Sequence, residues 1–317
     1  MIATRPTSAA SLSKRFSLFA WSTLAYNILV ILWGSLVRAT GSGAGCGQHW
    51  PLCNGEVLPV FPQAHMAIEF THRATSGIAL VSVIALYFWA RRCFARHTSA
   101  RRAAFFSLVF MLNETLVGAM LVLLGLVAGN RSPWRAAVLG VHLVNTLLLL
   151  GSLTLTAWWS DREEPHRWNQ GRLKRLILTG IVLVIVLSAT GGVAALGDTL
   201  FPAPSVSAGV QHEFSRSAPI LVQLRVVHPV LAVLAGAYLL WLIPHSLGRV
   251  RSAAAERWGY AAVLCVLGQF VLGAMNILLL TPLWTQLTHL LITDLLWVSL
   301  VIFSVSVLTA DPREAAV

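Results

Sequence analysis

Apolar residues along this chain gather into long runs, separated by short polar segments that hold nearly all of the charge. Eight runs are long enough to cross a hydrocarbon layer, which takes about 20 residues of helix. They cover residues 17–37, 67–90, 104–128, 136–159, 174–196, 220–243, 259–281 and 284–309. Lipid offers no partner to an unpaired backbone group, so each run is predicted to be an α-helix. The first follows Arg5, Lys14 and Arg15, as the apolar core of a signal peptide would. It is too long for that, and no small-residue cleavage pattern follows it, so it is predicted to be a retained span. The expected fold class is all-α integral membrane, with eight transmembrane helices.

Composition agrees, and charge adds a direction. Hydrophobic residues make up 56% of the 317 and charged residues 11%, with a mean hydropathy of +0.73. A soluble domain carries about a quarter charged residues, so this chain has too few to cover a water-facing surface. The same figures exclude disorder, and four cysteines are too few for a disulfide-built scaffold. The twelve Trp suit belts at the two membrane interfaces. A formal charge of +11 would suggest nucleic acid in a soluble protein, but here the basic residues sort by side and no nucleic acid is expected. Seventeen Lys and Arg fall at the N-terminus, in the loops after spans two, four and six, and at Arg313. Arg38, Arg131, Arg135 and Arg216 fall on the other side, with Arg73 and Arg225 near helix starts. Positive charge stays inside, so both termini are expected in the cytoplasm.

The chain also reads as a duplication. Thr40-Gly41 is matched by Thr190-Gly191, and Val117-Gly118-Ala119-Met120 by Leu272-Gly273-Ala274-Met275. His72 is matched by His228 and His142 by His289. Each half holds an even number of spans, so both enter the membrane from the same side. The expected architecture is two tandem four-helix bundles, residues 1–165 and 166–317, related by a pseudo-twofold axis along the membrane normal.

The four repeated histidines carry the chemistry. Each lies a few residues into an even-numbered span, about 8–12 Å below one common outer face. A single histidine within a span is ordinarily an interhelical hydrogen bond. Four at one depth, two per repeat, point instead to metal ligation. Zinc calls for three or four ligands at one site, whereas two imidazoles from facing helices suit the axial positions of a haem iron. Two haem-sized sites are expected, one per half. The other histidines, His49, His65, His97, His166, His212 and His245, lie in loops or at span ends and are expected to be solvated or interfacial. His49 and His65 flank the outer entrance.

The halves differ where chemistry would occur. Glu69 stands three residues before His72 and on the same helix face. It is a candidate partner that orients the imidazole, or an acid–base or charge-stabilising group acting on a substrate. The second half has Arg225 three residues before His228; an arginine can pair with a haem propionate but cannot act as a base. Chemistry is therefore expected in the first half and a fixed cofactor in the second. Arg38 and Arg73 are further candidates for propionate contacts. Glu114 and Asp294 are lone charges within spans, open to a proton path or to packing. The loop from Thr40 to Cys53 is glycine-rich, and Cys46 and Cys53 lie on the oxidising side. A disulfide there, structural or redox-active, is open. Cys93 and Cys265 are expected to be free thiols.

Together these residues resemble a known family. Leu36-Val37-Arg38, Thr40-Gly41-Ser42-Gly43, Cys46 with Trp50-Pro51-Leu52-Cys53, and Glu69-x-x-His72-Arg73 are similar to the signature of bacterial haem A synthase. The eight spans and the histidine in each even span extend the resemblance over nearly the whole chain. It implies an oxidoreductase of cytochrome oxidase biogenesis, which oxidises a methyl group of haem O to a formyl group through a hydroxymethyl stage and yields haem A. It also implies that His72 and His142 flank the iron of the substrate haem O and that His228 and His289 ligate a haem b. Glu69 would be the catalytic carboxylate, and Cys46 and Cys53 would form a disulfide. The implied setting is the bacterial cytoplasmic membrane, with lipid, haem O, a haem O synthase and an electron donor as partners; a homo-oligomer is open. Some members carry a second cysteine pair in the outer loop of their second half, and residues 197–219 hold none here. Two other readings remain: a di-haem b-type cytochrome that only passes electrons, and a carrier of some other solute.

Overall fold

The structure is a computed structural model that describes residues 7–60, 63–162 and 171–312. Eight long apolar helices make up most of it, as expected for an all-α integral membrane protein. They are α1 (Thr7–Ala39), α2 (Ala64–Cys93), α3 (Ser99–Leu123), α4 (Pro133–Trp159) and α5 (Arg172–Leu200). After the short α6 (Val206–Glu213) comes a sixth span built of α7 (Ile220–Gln223), a single 3₁₀ turn (Leu224–Val226) and α8 (Val227–Leu247). The last two are α9 (Ala253–Leu278) and α10 (Leu283–Leu308). A two-residue antiparallel pairing of Val250–Arg251 with Asp311–Pro312 joins the ends of α8 and α10.

Helix ends follow local chemistry. Pro133 occupies the first turn of α4, where its missing N–H costs nothing, and Ser132 Oγ accepts the free N–H of Arg135. Ser252 caps α9 in the same way through Ala255. α3 ends before Gly125, which takes a left-handed backbone (φ 63°) that glycine adopts without strain. The third and seventh spans therefore sit earlier than hydropathy predicts, at Ser99–Leu123 and Ala253–Leu278 rather than 104–128 and 259–281. Hydropathy registers lipid, while the helices extend into the interface and include Arg101, Arg102 and Arg257. The break in the sixth span also has a local cause. Pro229 has no N–H to give the carbonyl four residues back, at Arg225, and its ring crowds that carbonyl, so the chain tightens into a 3₁₀ turn just before His228.

Consecutive spans pack on one another from α1 to α4 and from α5 to α10, and the two sets meet through α1, α4, α5 and α10. The junction is the driest part of the molecule: Leu150, Leu153, Ala157, Leu300, Ile302 and Phe303 are buried there. Trp297 on α10 lies against Gly151 of α4 and donates its indole N–H to the Leu147 carbonyl at 2.7 Å. Outward faces carry Leu18, Val81, Leu116, Val182, Val233 and Leu264, all exposed, as a lipid-facing surface requires. The predicted division at 165/166, together with Arg5, His166, Arg167 and Arg313, lies outside the described residues.

Candidate functional site

Each of the four histidines sits six to nine residues past the start of its span: His72 on α2, His142 on α4, His228 on α8 and His289 on α10. All four rings are half-buried. A neighbouring helix presents a glycine to each one. A Cβ at Gly34 on α1 would lie 3.0 Å from His72 Cε1, and one at Gly191 on α5 would lie 2.9 Å from His228 Cε1. At Gly118 on α3 and Gly273 on α9 the corresponding distances, to His142 and His289, are 3.9 and 3.7 Å. The first two glycines are required for the rings to sit where they do; the other two are in ordinary contact. By ring contact it is Gly34, and not Gly41, that stands to His72 as Gly191 stands to His228. Gly41 follows the end of α1 with φ 68° and meets no side chain.

The His228 and His289 rings stand 6.4 Å apart between centroids, near perpendicular. Metal–imidazole bonds of about 2.0–2.1 Å on each side, plus the ring radius, call for a centroid separation of about 6 Å. The observed separation is close to that spacing. Among the described residues no three His, Cys, Asp or Glu side chains converge, so the donor set suits a metal whose remaining ligands come from a macrocycle. His228 Nδ1 faces the Leu187 carbonyl at 3.2 Å and Thr190 Oγ1 at 3.3 Å, which leaves Nε2 as its free nitrogen. His72, His142 and His289 each have a buried Nδ1 without a hydrogen bond among the described residues.

Glu69 is buried, and three donor contacts from the protein hold its carboxylate. Oε2 accepts from the Cys46 backbone N–H at 2.8 Å, and Oε1 accepts from Arg73 Nη2 at 2.6 Å and Nε at 3.2 Å. Arg73 also donates through Nη1 to the carbonyls of His49 and Leu52, so this pair clamps the loop between α1 and α2 onto α2. Cys46 and Cys53 are disulfide-bonded within that loop. Close packing of Gly45 against the backbone of His65 and Met66 leaves no room for a side chain there. His65 pairs with Ser42 Oγ at 3.0 Å. Cys93 and Cys265 are free thiols.

The other two arginines are likewise held by the protein. Arg38 crosses from α1 to α5 and α10, donating to Ala195 O (2.8 Å), Thr199 Oγ1 (2.6 Å) and Gln286 Oε1 (2.8 Å). Arg225 faces Asp198 Oδ1 at 3.2 Å as an ion pair and donates to the carbonyls of Gly197 and Phe201. Sequence reasoning missed the ring-facing Gly34 and the role of Arg38 in joining α1 to the last four spans. It left Glu114 and Asp294 unassigned. Glu114 lies beside His142, with Oε1 3.5 Å from Nδ1. Asp294 is buried in α10 and has no partner for Oδ2 among the described residues.

Comparison with known proteins adds a family. The profile of a family described as cytochrome oxidase assembly protein matches residues 17–301. A protein of Thermus thermophilus named protohaem IX farnesyltransferase is 44% identical over 309 residues; these are 95% of this chain but 50% of that protein. The chain thus spans about half the length of that relative. A haem A synthase of Alkalihalophilus pseudofirmus is 28% identical over 90% of this chain and 95% of its own. A haem A synthase of Staphylococcus saprophyticus is 31% identical, with 84% and 87% covered.

Proposed function

This chain belongs to the haem A synthase family of cytochrome oxidase assembly proteins, and from that premise we propose that it oxidises a methyl group of haem O to a formyl group. The observation that carries the reading is an asymmetry laid over a repeat. Both halves offer a histidine pair with a glycine against each ring, yet the carboxylates Glu69 and Glu114 stand only in the first. At the matching distances before the second half's histidine and glycine stand Arg225 and Gln269.

In this reading residues 1–165 form the substrate half and 166–317 the cofactor half. His72 and His142 hold the iron of the substrate haem O, and His228 and His289 would hold a haem b. When bound, haem b supplies one-electron transfer. Glu69 does the local work. Converting a methyl to a formyl group is a four-electron oxidation that adds one oxygen and removes two hydrogens. Written with water as the oxygen source it releases four electrons and four protons, so an external oxidant must take the electrons, positive charge builds up at that carbon, and protons must leave it. A buried carboxylate held by Arg73 and the Cys46 N–H is fixed in place to stabilise that charge or to take a proton. Arg38, Arg73 and Arg225 lie at the outer ends of their spans, where propionates would reach them. The basic loops support a cytoplasmic-membrane protein with both termini inside.

The name of the Thermus relative fits this scheme. That protein is twice as long as the match, and a farnesyltransferase acting on protohaem makes the farnesylated haem that this chain would consume. We read the two activities as successive steps, with the farnesyltransferase as a partner. Expression beside a protohaem farnesyltransferase, in a host without its own haem A, tests the reading. Haem A in the extract supports it; haem O accumulating unconverted contradicts it.

A further inference from the structure

The two α-helical pairs that carry His142 and His289 share one register but differ in charge. On α3, Glu114 lies four residues before Gly118, the glycine that faces His142; on α9, Gln269 lies four residues before Gly273, which faces His289. Thr146 and Thr293 each follow their histidine by four residues, and each binds the polar residue opposite. Thr146 Oγ1 donates to Glu114 Oε1 at 2.5 Å, and Gln269 Nε2 donates to Thr293 Oγ1 at 2.7 Å. The adjoining positions match as well. Asn113 and Asn145 hydrogen-bond across the first pair at 2.8 Å, where the second pair has the apolar Gly268 facing Ile292. Asn145 Nδ2 then donates to Glu114 Oε2 at 2.6 Å.

A network that holds a carboxylate beside one histidine is thus replaced by a neutral amide beside the other. Gln269 spends its N–H groups on Thr293 and on the His289 carbonyl at 2.8 Å. Glu114 Oε1 stands 3.5 Å from His142 Nδ1, a nitrogen without a hydrogen bond among the described residues.

We propose that Glu114 is a positioning residue for His142: once the ring ligates iron, Glu114 Oε1 closes the 3.5 Å gap to accept the His142 Nδ1–H, fixes Nε2 as the iron-facing nitrogen, and makes this imidazole a stronger electron donor than His289. The inference rests on the reading of His142 and His289 as haem ligands. A carboxylate behind a ligating histidine orients the ring and raises its basicity. Greater basicity favours ferric over ferrous iron, so the midpoint potential of the first-half haem is held down relative to a site with a neutral partner. The two otherwise similar sites are thereby set apart.

The test uses the full chain in detergent with haem in both sites and reads each midpoint by spectroelectrochemistry. Glu114→Gln keeps the size and the hydrogen-bonding reach of the side chain. It is expected to raise one midpoint by about 59 mV, a tenfold change in the ferric-to-ferrous ratio for one electron, and to leave the other in place. Gln269→Glu is expected to lower the second midpoint by a similar amount. Two bound haems with unchanged midpoints in Glu114→Gln, or with both moved equally, would overturn the inference alone. Retention of both haems in His142→Ala would instead overturn the ligation on which it rests.

Discussion

The backbone N–H of Cys46 donates to Glu69 Oε2 at 2.8 Å, so the disulfide loop and the buried carboxylate at the head of α2 are fixed by one another. Arg73 completes the arrangement from the next turn of α2, reaching Glu69 and two loop carbonyls at once. Whatever moves this loop also moves the group assigned to the chemistry.

Replacing Glu69 with Gln removes the charge while keeping the shape. Haem binding should persist, because the histidines are untouched, and haem A formation should fall about a hundredfold or more, the usual contribution of a positioned acid–base group. Haem extraction followed by chromatography reads both. Full conversion by this variant would remove Glu69 from the mechanism.

Opening the Cys46–Cys53 disulfide, by reductant or by Cys46→Ser with Cys53→Ser, frees a short loop whose closure is worth on the order of 2–3 kcal/mol. The Cys46 N–H then no longer holds Glu69 firmly. Conversion should fall, but less than in Glu69→Gln, while the ratio of haem to protein stays constant. An unchanged rate under reducing conditions would separate the loop from catalysis.

The ring-facing glycines should not respond alike. Gly34→Ala and Gly191→Ala each place a Cβ within about 3 Å of an imidazole, and that ring must turn away. Gly118→Ala and Gly273→Ala create only ordinary contacts at 3.9 and 3.7 Å. The first two variants should lose haem, one site each, and the second two should keep it, as measured by haem-to-protein ratio. Equal tolerance of all four would mean that the rings are not held by these glycines.

Arg38→Ala tests the seam between the halves. It strips donors from Ala195 O, Thr199 Oγ1 and Gln286 Oε1 in a half-buried site, at a cost of about 2–3 kcal/mol. Thermal unfolding in detergent should begin earlier. Lys at this position should rescue little, because one ammonium cannot reproduce the planar fork.

Much of this was legible in the sequence, for identifiable reasons. Spanning helices must be apolar throughout, so eight runs announced eight helices, and a histidine inside such a run is conspicuous. The ends were less legible, because a turn such as that after α9, where Leu280 and Thr281 adopt left-handed backbones, follows from packing and not from composition. Gly34 was hidden because glycine is common in membrane helices, and only the ring of His72 behind it shows why it is there. The part Arg38 plays at the seam was hidden because its carbonyl and hydroxyl acceptors come from a helix more than 150 residues away. Glu114 had a signal that went unused: carrying the offset of the Gly118–Gly273 match four residues back sets it opposite Gln269.

The central claim is that two histidine pairs serve two different haems, one converted and one resident. The most direct measurement is the haem identity of the purified protein, from cells with and without a farnesylating partner, in the native chain and in His72→Ala and His228→Ala variants. The account predicts haem b in the native chain under both conditions, with haem O or haem A added only when farnesylated haem is made. It predicts loss of haem b in His228→Ala and loss of the farnesylated haems in His72→Ala. Two equivalent haem b groups that are always present, with no haem A under either condition, would contradict it.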